Sequence, residues 1–476
     1  MSSTTKLSAR DRIVTLLDDN SFVEIGALVT KRSTDFNLAQ AEASSDGVIT
    51  GYGLIDGSLV YVYSQDAAVL NGTMGEMHAK KISGIYDLAL KVGAPVIALL
   101  DCAGMRLQEA TDALAGFGNV YLKQTMASGV VPQISVVFGT CGGGCAVSAS
   151  MSDFTFMSEG AKLFVNSPNA VEGNFTGKCD TASADFQAKA GNVDAVYTEE
   201  AEVLASVRTL VSFLPSNNEN EFALDCTDDL NRATEGFAEE AADPVAALAD
   251  ISDNNEFFEL KAGFAKEMVT GFLRLNGTTI GAVANRSACF DENGKAVEKF
   301  DTVLTAAGCE KAEKFVAFCD AFGIPVLTLT NVTGYAADMK NEKSVAAAAA
   351  KLTYAFANAT VAKVNIVTGK AMGSAYITMN SKHIGADMVF ALESAKIGMM
   401  DSALASQIMY ADADEATKKA KAQEYDALQS SAVSAAKRGY VDSIIAPETA
   451  RQQLVYAFEM LNTKREARPS KKHGTI

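Results

Sequence analysis

Two glycine-bearing turns stand 39 residues apart, at Gly104 and Gly143, and a second pair with the same separation stands at Gly334 and Gly373. Each follows straight after a short continuous apolar run, as expected of a strand buried on both faces, so each pair should lie at one edge of a sheet. A turn that opens a helix leaves backbone N–H groups unpaired, and these, with the helix dipole, hold a developing negative charge. Two such turns side by side make a two-donor oxyanion hole. Glycines that only let a helix pack closely on a sheet explain any single turn as well. The paired spacing, present twice, favours the chemical reading.

Other chemistries find less support. Neither G-x-x-x-x-G-K-[ST] nor a convincing G-x-G-x-x-G followed by an acidic residue is present, which argues against nucleotide binding. Ser148 lies beyond the glycines without G-x-S-x-G, and the scattered His78, His383 and His473 do not suggest a Ser-His-Asp triad. The eight cysteines occur singly, with no C-x-x-C pair, so no metal site is expected. Cys141 and Cys145 read as small buried helix residues, and Asp412-Ala-Asp-Glu415 as a cap or solvated face of a helix.

The elements that must position these turns come twice. Gly93-Ala-Pro95-Val-Ile-Ala-Leu-Leu-Asp-Cys-Ala-Gly104 aligns with Gly323-Ile-Pro325-Val-Leu-Thr-Leu-Thr-Asn-Val-Thr-Gly334, 230 residues on, and the same offset carries Gly139-Thr-Cys-Gly-Gly143 onto Gly369-Lys-Ala-Met-Gly373. Upstream, Gly51-Tyr-Gly-Leu-Ile-Asp-Gly57 matches Gly271-Phe-Leu-Arg-Leu-Asn-Gly277 at an offset of 220. Three matches in one order imply an internal duplication. Within the first copy the pattern predicts a hairpin over 51–65 turning at Asp56-Gly57, a helix over 75–91, a strand over 96–100, a helical stretch over 107–128 and a strand over 133–138. The second copy should place strands at 326–329 and 363–367. Such alternation predicts an α/β fold with crossover connections.

A chain of 476 residues is too long for one core, and 48% hydrophobic with 21% charged residues is a globular composition. The net charge of −17 opposes nucleic-acid and anionic-membrane binding. No apolar leader opens the sequence and the cysteines are unpaired, which points to the cytoplasm. The apolar stretch 130–151 is broken by Pro132 and Gly142-Gly-Gly144, so it reads as strand and turn and not as a membrane span. The polar, acidic stretch from Pro215 to Pro244 separates the copies, giving domains 1–235 and 236–476.

The ordered motifs resemble the carboxyltransferase subunits of biotin-dependent acyl-CoA carboxylases and decarboxylases, of the crotonase superfamily. The resemblance runs from Ser8-Ala-Arg-Asp-Arg-Ile13 through Gly72-Thr-Met-Gly-Glu-Met-His-Ala-Lys-Lys-Ile82, Met105-Arg-Leu-Gln-Glu109, Lys314-Phe-Val-Ala-Phe-Cys-Asp320 and Gly369-Lys-Ala-Met-Gly-Ser-Ala-Tyr376 to Arg438-Gly-Tyr-Val-Asp442 and Lys471-Lys-His-Gly474. It implies two tandem crotonase-like (ClpP/crotonase) domains, each a CoA carboxyltransferase half, and transfer of a carboxyl group between an acyl-CoA and biotin through enolate-like charge. Amides near Gly104-Met105 and Gly143-Gly144 would hold the thioester enolate. Amides near Gly334-Tyr335 and Ser374-Ala375 would hold the biotin ureido oxygen. Arg106, Lys80 and Lys81 match family positions and are candidates for a basic patch toward CoA phosphates, a solvent-exposed role for the lysines being the alternative. The resemblance further implies a homo-oligomer, a hexamer, with sites shared between subunits. Its other implied partners are a biotin carboxyl carrier protein and either a biotin carboxylase or membrane decarboxylase subunits, through which the chain would associate with a membrane.

The chain departs from the family pattern in both turns. Gly139-Thr-Cys-Gly-Gly-Gly-Cys145 stands where relatives read Gly-Pro-Cys-Ala-Gly-Gly-Ala, and Asn331-Val-Thr-Gly-Tyr-Ala-Ala-Asp338 where they read Asp-Val-Pro-Gly-Phe-Leu-Pro-Gly. A stiffening proline is missing from each, so acyl specificity does not carry over. Met339-Lys340 and Lys370-Ala-Met372 lack the Ala-Met-Lys-Met context, so biotin is expected on another chain. Two alternatives remain: a subunit of a sodium-pumping decarboxylase working in the reverse direction, and a catalytically idle scaffold of a carboxylase complex.

Overall fold

Strands β1 (Val23–Ile25), β2 (Val48–Ile55) and β3 (Ser58–Gln65) open a mixed sheet, β2 and β3 joined by Asp56-Gly57 with φ of 48° and 79°. Positive φ at both central residues is the hairpin turn whose twist matches the strands. Asn276-Gly277, at 50° and 74°, makes the same turn between Met268–Leu275 and Thr278–Asn285. The computed structural model describes residues 6–32, 45–174, 176–220, 223–291 and 294–471, so His473 and the end of the last motif lie outside the described residues.

The chain divides into two units, Met1–Glu221 and Phe222–Ile476. In the first, β4 (Val96–Cys102), β5 (Gln133–Gly142), β6 (Phe154–Ser158) and β8 (Ala195–Tyr197) continue the sheet in the order β1-β2-β3-β4-β5-β6-β8, while β7 (Lys162–Phe164) pairs with the far end of β5. From β3 onward the pairing is parallel. The second unit has the same order in Phe257–Leu260, Met268–Leu275, Thr278–Asn285, Val326–Val332, Lys363–Met372, Met388–Leu392 and Ser443–Ile445, with Lys396–Gly398 in the place of β7.

Register repeats with order. Tyr61 faces Val96 and Val96 faces Gln133; Gly281 faces Val326 and Val326 faces Lys363. Both ladders break after the apolar run, past Leu100 and Thr330, and resume at Cys102–Cys141 and Val332–Ala371. The strands run further than their apolar residues predict because β7 and its counterpart give hydrogen-bond partners to Thr140–Gly142 and to residues 370–372. Cys141, expected on a helix, is therefore on β5.

Helix α1 (Ala9–Leu16) packs with the helix Glu200–Phe213, while α2 (Glu76–Val92) and α3 (Ala110–Ala127) pack together. Helix α2 buries Ile82, Ile85, Tyr86 and Ala89 at helical spacing and ends on Gly93 in the left-handed conformation. Helix α4 (Gly144–Ser150) leaves the end of β5. The second-unit counterparts of α2, α3 and α4 are Ala306–Ala321, Val345–Asn358 and Gly373–Thr378. Part of the acidic stretch expected to close the first domain packs on the second unit: Thr234 N donates to Glu448 O at 3.1 Å, and fully buried Arg451 pairs with Asp253 at 2.7 Å and Asp228 at 3.4 Å. A buried guanidinium requires such partners, and these carboxylates supply them.

Candidate active site

At the C-terminal ends of β4 and β5 the strands are braced by one side chain. The Asp101 carboxylate accepts from Thr140 N at 3.2 Å, and a Cβ on Gly139 would lie 2.0 Å from Asp101 Oδ1. Asn331 does the same in the second unit, accepting from Lys370 N at 3.0 Å, with Gly369 lacking the Cβ that would sit 2.6 Å from Asn331 Oδ1. The brace is itself oriented from the neighbouring strand: Gln65 Oε1 accepts from Asp101 N at 3.2 Å, and Asn285 Oδ1 from Asn331 N at 3.1 Å. Gly139 and Gly369 are thus required by a close approach, which places both glycine turns side by side just beyond.

In the first unit, a Cβ on Gly104 would be 3.5 Å from Gly142 O, so the two turns are adjacent. Met74 N donates to Gly104 O at 2.9 Å and Arg106 N to Met74 O at 3.0 Å. Along an extended backbone the intervening amide points the other way, so Met105 N–H faces away from this bridge. Gly143, with φ of 58° and ψ of −124°, uses its own N–H on Phe164 O at 2.9 Å, and the chain then enters α4 at Gly144. The first amides of a helix have no partner within it, so Gly144 N–H is a donor. Of the four residues expected here, Met105 and Gly144 have amides outside these bridges, whereas Gly104 O and Gly143 N are engaged. Gly104 and Gly143 shape the turns.

The second unit repeats this. Ala336 N donates to Leu304 O at 2.9 Å, turning Tyr335 N–H away from that bridge, and the helix opens at Gly373 with φ of 61°. Ser374 holds the register of Gly144 and is exposed, whereas Ala375 is buried. Gly334 lacks the positive φ of Gly104, which is 118°.

The three basic candidates separate. Lys80 is exposed on α2. Arg106, 1% exposed, pairs with Glu109 at 2.9 Å and donates to the carbonyls of Asp46 at 2.9 Å and Thr73 at 2.6 Å. Lys81 pairs with Asp46 at 3.2 Å and donates to Val48 O. Its counterpart Lys311 is likewise buried, donating to the carbonyls of Lys261 and Phe264 at 2.9 Å, and burial pushes it down to about 7. Both were candidates for a basic patch toward CoA phosphates; here the Arg106 guanidinium anchors the Met105 turn and the Lys81 ammonium holds Asp46 and Val48, because a buried cation must be paired. Glu109, which sequence reasoning did not single out, completes the anchor by accepting from Glu76 N at the start of α2 at 2.6 Å.

Side-chain nucleophiles and bases are not prominent around the first turn pair. Burial first, and the Arg106 charge second, push His78 down to about 3, so its imidazole is neutral and packs between Gln65 Nε2 and Asp46 O, each at 3.3 Å. The Cys102 thiol is held well above its ordinary range by the Cys145 thiol and by burial. A cavity of about 560 Å³ opens at the same strand ends, lined by Ala103, Gly139 and Thr140 with Lys6 and Lys162 among its walls. Backbone amides so placed are the kind of donor that a developing oxyanion needs.

Residues 2–476 match the carboxyl transferase domain family. The chain is 38% identical to the methylmalonyl-CoA decarboxylase subunit alpha of Propionigenium modestum, covering 99% of this chain and 93% of that protein. It is also 38% identical to the propionyl-CoA carboxylase beta chain of Roseobacter denitrificans, covering 99% and 94%. Among solved structures it superposes on transcarboxylase 12S, described as a hexamer assembly with hydrolysed methylmalonyl-coenzyme A bound, with a TM-score of 0.92 at 34% identity over 99% of this chain and 92% of that one.

Proposed function

The chain belongs to the carboxyl transferase family, with tandem crotonase-like halves, and from that premise we propose that it moves a carboxyl group between a short-chain acyl-CoA of the propionyl or methylmalonyl type and biotin on a separate carrier protein. One observation carries the reading: a pair of outward backbone amides occurs at the same register in both units. Withdrawing a carboxyl group from the α-carbon of an acyl-CoA leaves an electron pair that delocalises onto the thioester oxygen. Met105 and Gly144 N–H would receive that charge, and the cavity sharing Ala103, Gly139 and Thr140 with these turns would take the CoA side of the substrate. Biotin supplies the ring nitrogen that carries the carboxyl group. Tyr335 and Ser374 N–H fit its ureido oxygen, being donors at an exposed turn with Ala375 behind them. The hydrogen on that ring nitrogen passes to the α-carbon as the carboxyl group passes to the nitrogen, so the exchange balances with no side-chain base.

The domains 1–235 and 236–476 are proposed as the two carboxyltransferase halves, with 223–235 as the connecting segment that packs within the second compact unit, acting in a cytoplasmic homo-oligomer, a hexamer, that works with a biotin carboxyl carrier protein. Equal identity to a decarboxylase subunit and to a carboxylase chain leaves direction to the other partners, a biotin carboxylase or membrane decarboxylase subunits. Among the described residues no helix is long and apolar enough to cross a membrane. The test incubates the purified chain with methylmalonyl-CoA and free biotin and follows propionyl-CoA by chromatography. Biotin-dependent formation is expected. A rate indifferent to biotin would refute the assignment, and none at all would favour the idle scaffold.

A further inference from the structure

We propose that the phenol hydroxyl of Tyr335 is a positioning group of the second hole, tying the Tyr335 turn to the helix that carries the Ser374 amide. The proposal rests on the functional reading above. Tyr335 lies in the first turn of the pair, and Thr378 ends the helix Gly373–Thr378 that the second turn opens. Tyr335 Oη is 3.1 Å from Thr378 Oγ1, which is 3.2 Å from Ser374 O and 3.0 Å from Thr353 Oγ1. The Thr353 hydroxyl in turn donates to Ala349 O at 2.8 Å.

Each hydroxyl has one proton to give. Ala349 O takes that of Thr353, leaving the Thr353 oxygen as an acceptor. Thr378 gives its proton to Thr353 or to Ser374 O, and its own oxygen accepts from Tyr335. The chain therefore has one direction, with Tyr335 as its first donor. Thr378 is only 3% exposed, so water does not readily substitute for this partner.

The first unit explains why the tie is needed. There the register of Tyr335 is held by apolar Met105, and the turn is fixed by Arg106, whose guanidinium grips the carbonyls of Asp46 and Thr73. Tyr121, from α3, fixes the following helix by donating to Gly144 O at 2.6 Å. In the second unit the register of Arg106 is held by Ala336, which has no side-chain donor. Among the described residues, the backbone of its turn is pinned along one side, by Thr333 N on Thr302 O at 2.7 Å and Ala336 N on Leu304 O at 2.9 Å. The hydroxyl chain supplies the opposite side, and Thr353 enters it from the counterpart of α3. Two donors that serve one oxygen must keep their separation, and a misplacement of about 1 Å costs on the order of 10² in rate.

The test combines kinetics with amide exchange. Tyr335→Phe and Thr378→Val should each lower kcat for transfer to free biotin by about tenfold while KM for the acyl-CoA stays within about twofold, the signature of a contact that acts in the transition state. Thr378→Ser should stay within about threefold of wild type, and the double variant Tyr335→Phe with Thr378→Val should be no worse than about twofold below the slower single, because both remove one tie. Independently of turnover, Tyr335→Phe should speed hydrogen exchange in peptides covering 333–337 and 373–378 and leave 104–106 and 143–148 unchanged. Unchanged exchange in the first two segments, a wild-type kcat in Tyr335→Phe, or multiplicative effects in the double variant would overturn the proposal. A wild type without transfer activity but with the local exchange response would overturn the functional reading and uphold the tie.

Discussion

Replacing Gly144 by proline removes one proposed oxyanion donor, and the local structure shows how to isolate that loss. Gly144 is the first residue of α4, where proline is accepted because its N–H has no partner within the helix. The preceding Gly143, at φ 58° and ψ −124°, occupies the mirror image of the extended region, so it satisfies the restriction on a residue before proline. The obstacle is the new side chain: a Cβ on Gly144 would lie 2.9 Å from Tyr121 Oη and 3.0 Å from the Phe117 ring. Such crowding costs about 1–3 kcal/mol, and Gly144→Ala suffers it too while keeping the amide. The ratio of the alanine to the proline rate therefore reports the N–H. It should be about 10²–10³, or roughly 3–4 kcal/mol, in the transfer of carboxyl groups from methylmalonyl-CoA to free biotin. Circular dichroism must show both variants folded. Ser374→Ala keeps its amide and loses an exposed hydroxyl with no hydrogen-bond partner among the described residues, so its rate should fall by less than about tenfold. Equal rates for Gly144→Ala and Gly144→Pro would remove the Gly144 amide from the mechanism. A Ser374→Ala defect as large as that of Gly144→Pro would make the hydroxyl catalytic.

Four further outcomes are expected. Arg106→Met strands buried Glu109 and should lower stability by about 3–5 kcal/mol in denaturant unfolding, with partial recovery in Arg106→Met/Glu109→Gln; an unchanged midpoint would show that the pair anchors nothing. Gly139→Ala should disrupt the strand brace, whose carboxylate the new Cβ would approach to 2.0 Å, and lower kcat by at least about tenfold; wild-type turnover would refute the brace. Asp153 is pushed up to about 7 by burial and then by Asp194, whereas its counterpart Asp387 has Lys464 at 2.8 Å. A folded-state value raised above the ordinary 3.8 means that stability is lost as pH rises through 7, so the advantage of Asp153→Asn should grow between pH 4 and 7 and level off above it. Because the residue as a whole is half-buried, the plateau should be about 1–3 kcal/mol in thermal unfolding, and a pH-independent difference would contradict the assignment. The purified chain should carry no covalent biotin, so a streptavidin blot should show no band at 50.1 kDa.

Much of the architecture was legible in residues 93–104 and 323–334. Apolar runs bounded by glycine define strands through local physics, and matching spacing reveals duplication without any coordinates. The hairpin at Asp56-Gly57 and the helix Glu76–Val92 follow from turn chemistry and periodicity in the same way. The turns proposed as anion sites were also legible, since an amide donor needs no particular side chain. What the sequence did not specify was which residue of each turn donates. Gly143 and Gly104 looked equivalent to their neighbours, and only the pairing of β5 with β7 showed that the Gly143 amide is already engaged. Nor did it specify the use of charge. Arg106 and Lys81 read as a basic patch toward CoA phosphates, and their partners Glu109 and Asp46 sit 3 and 35 residues away. The Asp101–Thr140 brace and the Tyr335–Thr378 tie span 39 and 43 residues. A hydrogen bond between residues so far apart has no periodicity to announce it; the strand ends and helix starts that bring them together are set by the packing of the whole sheet.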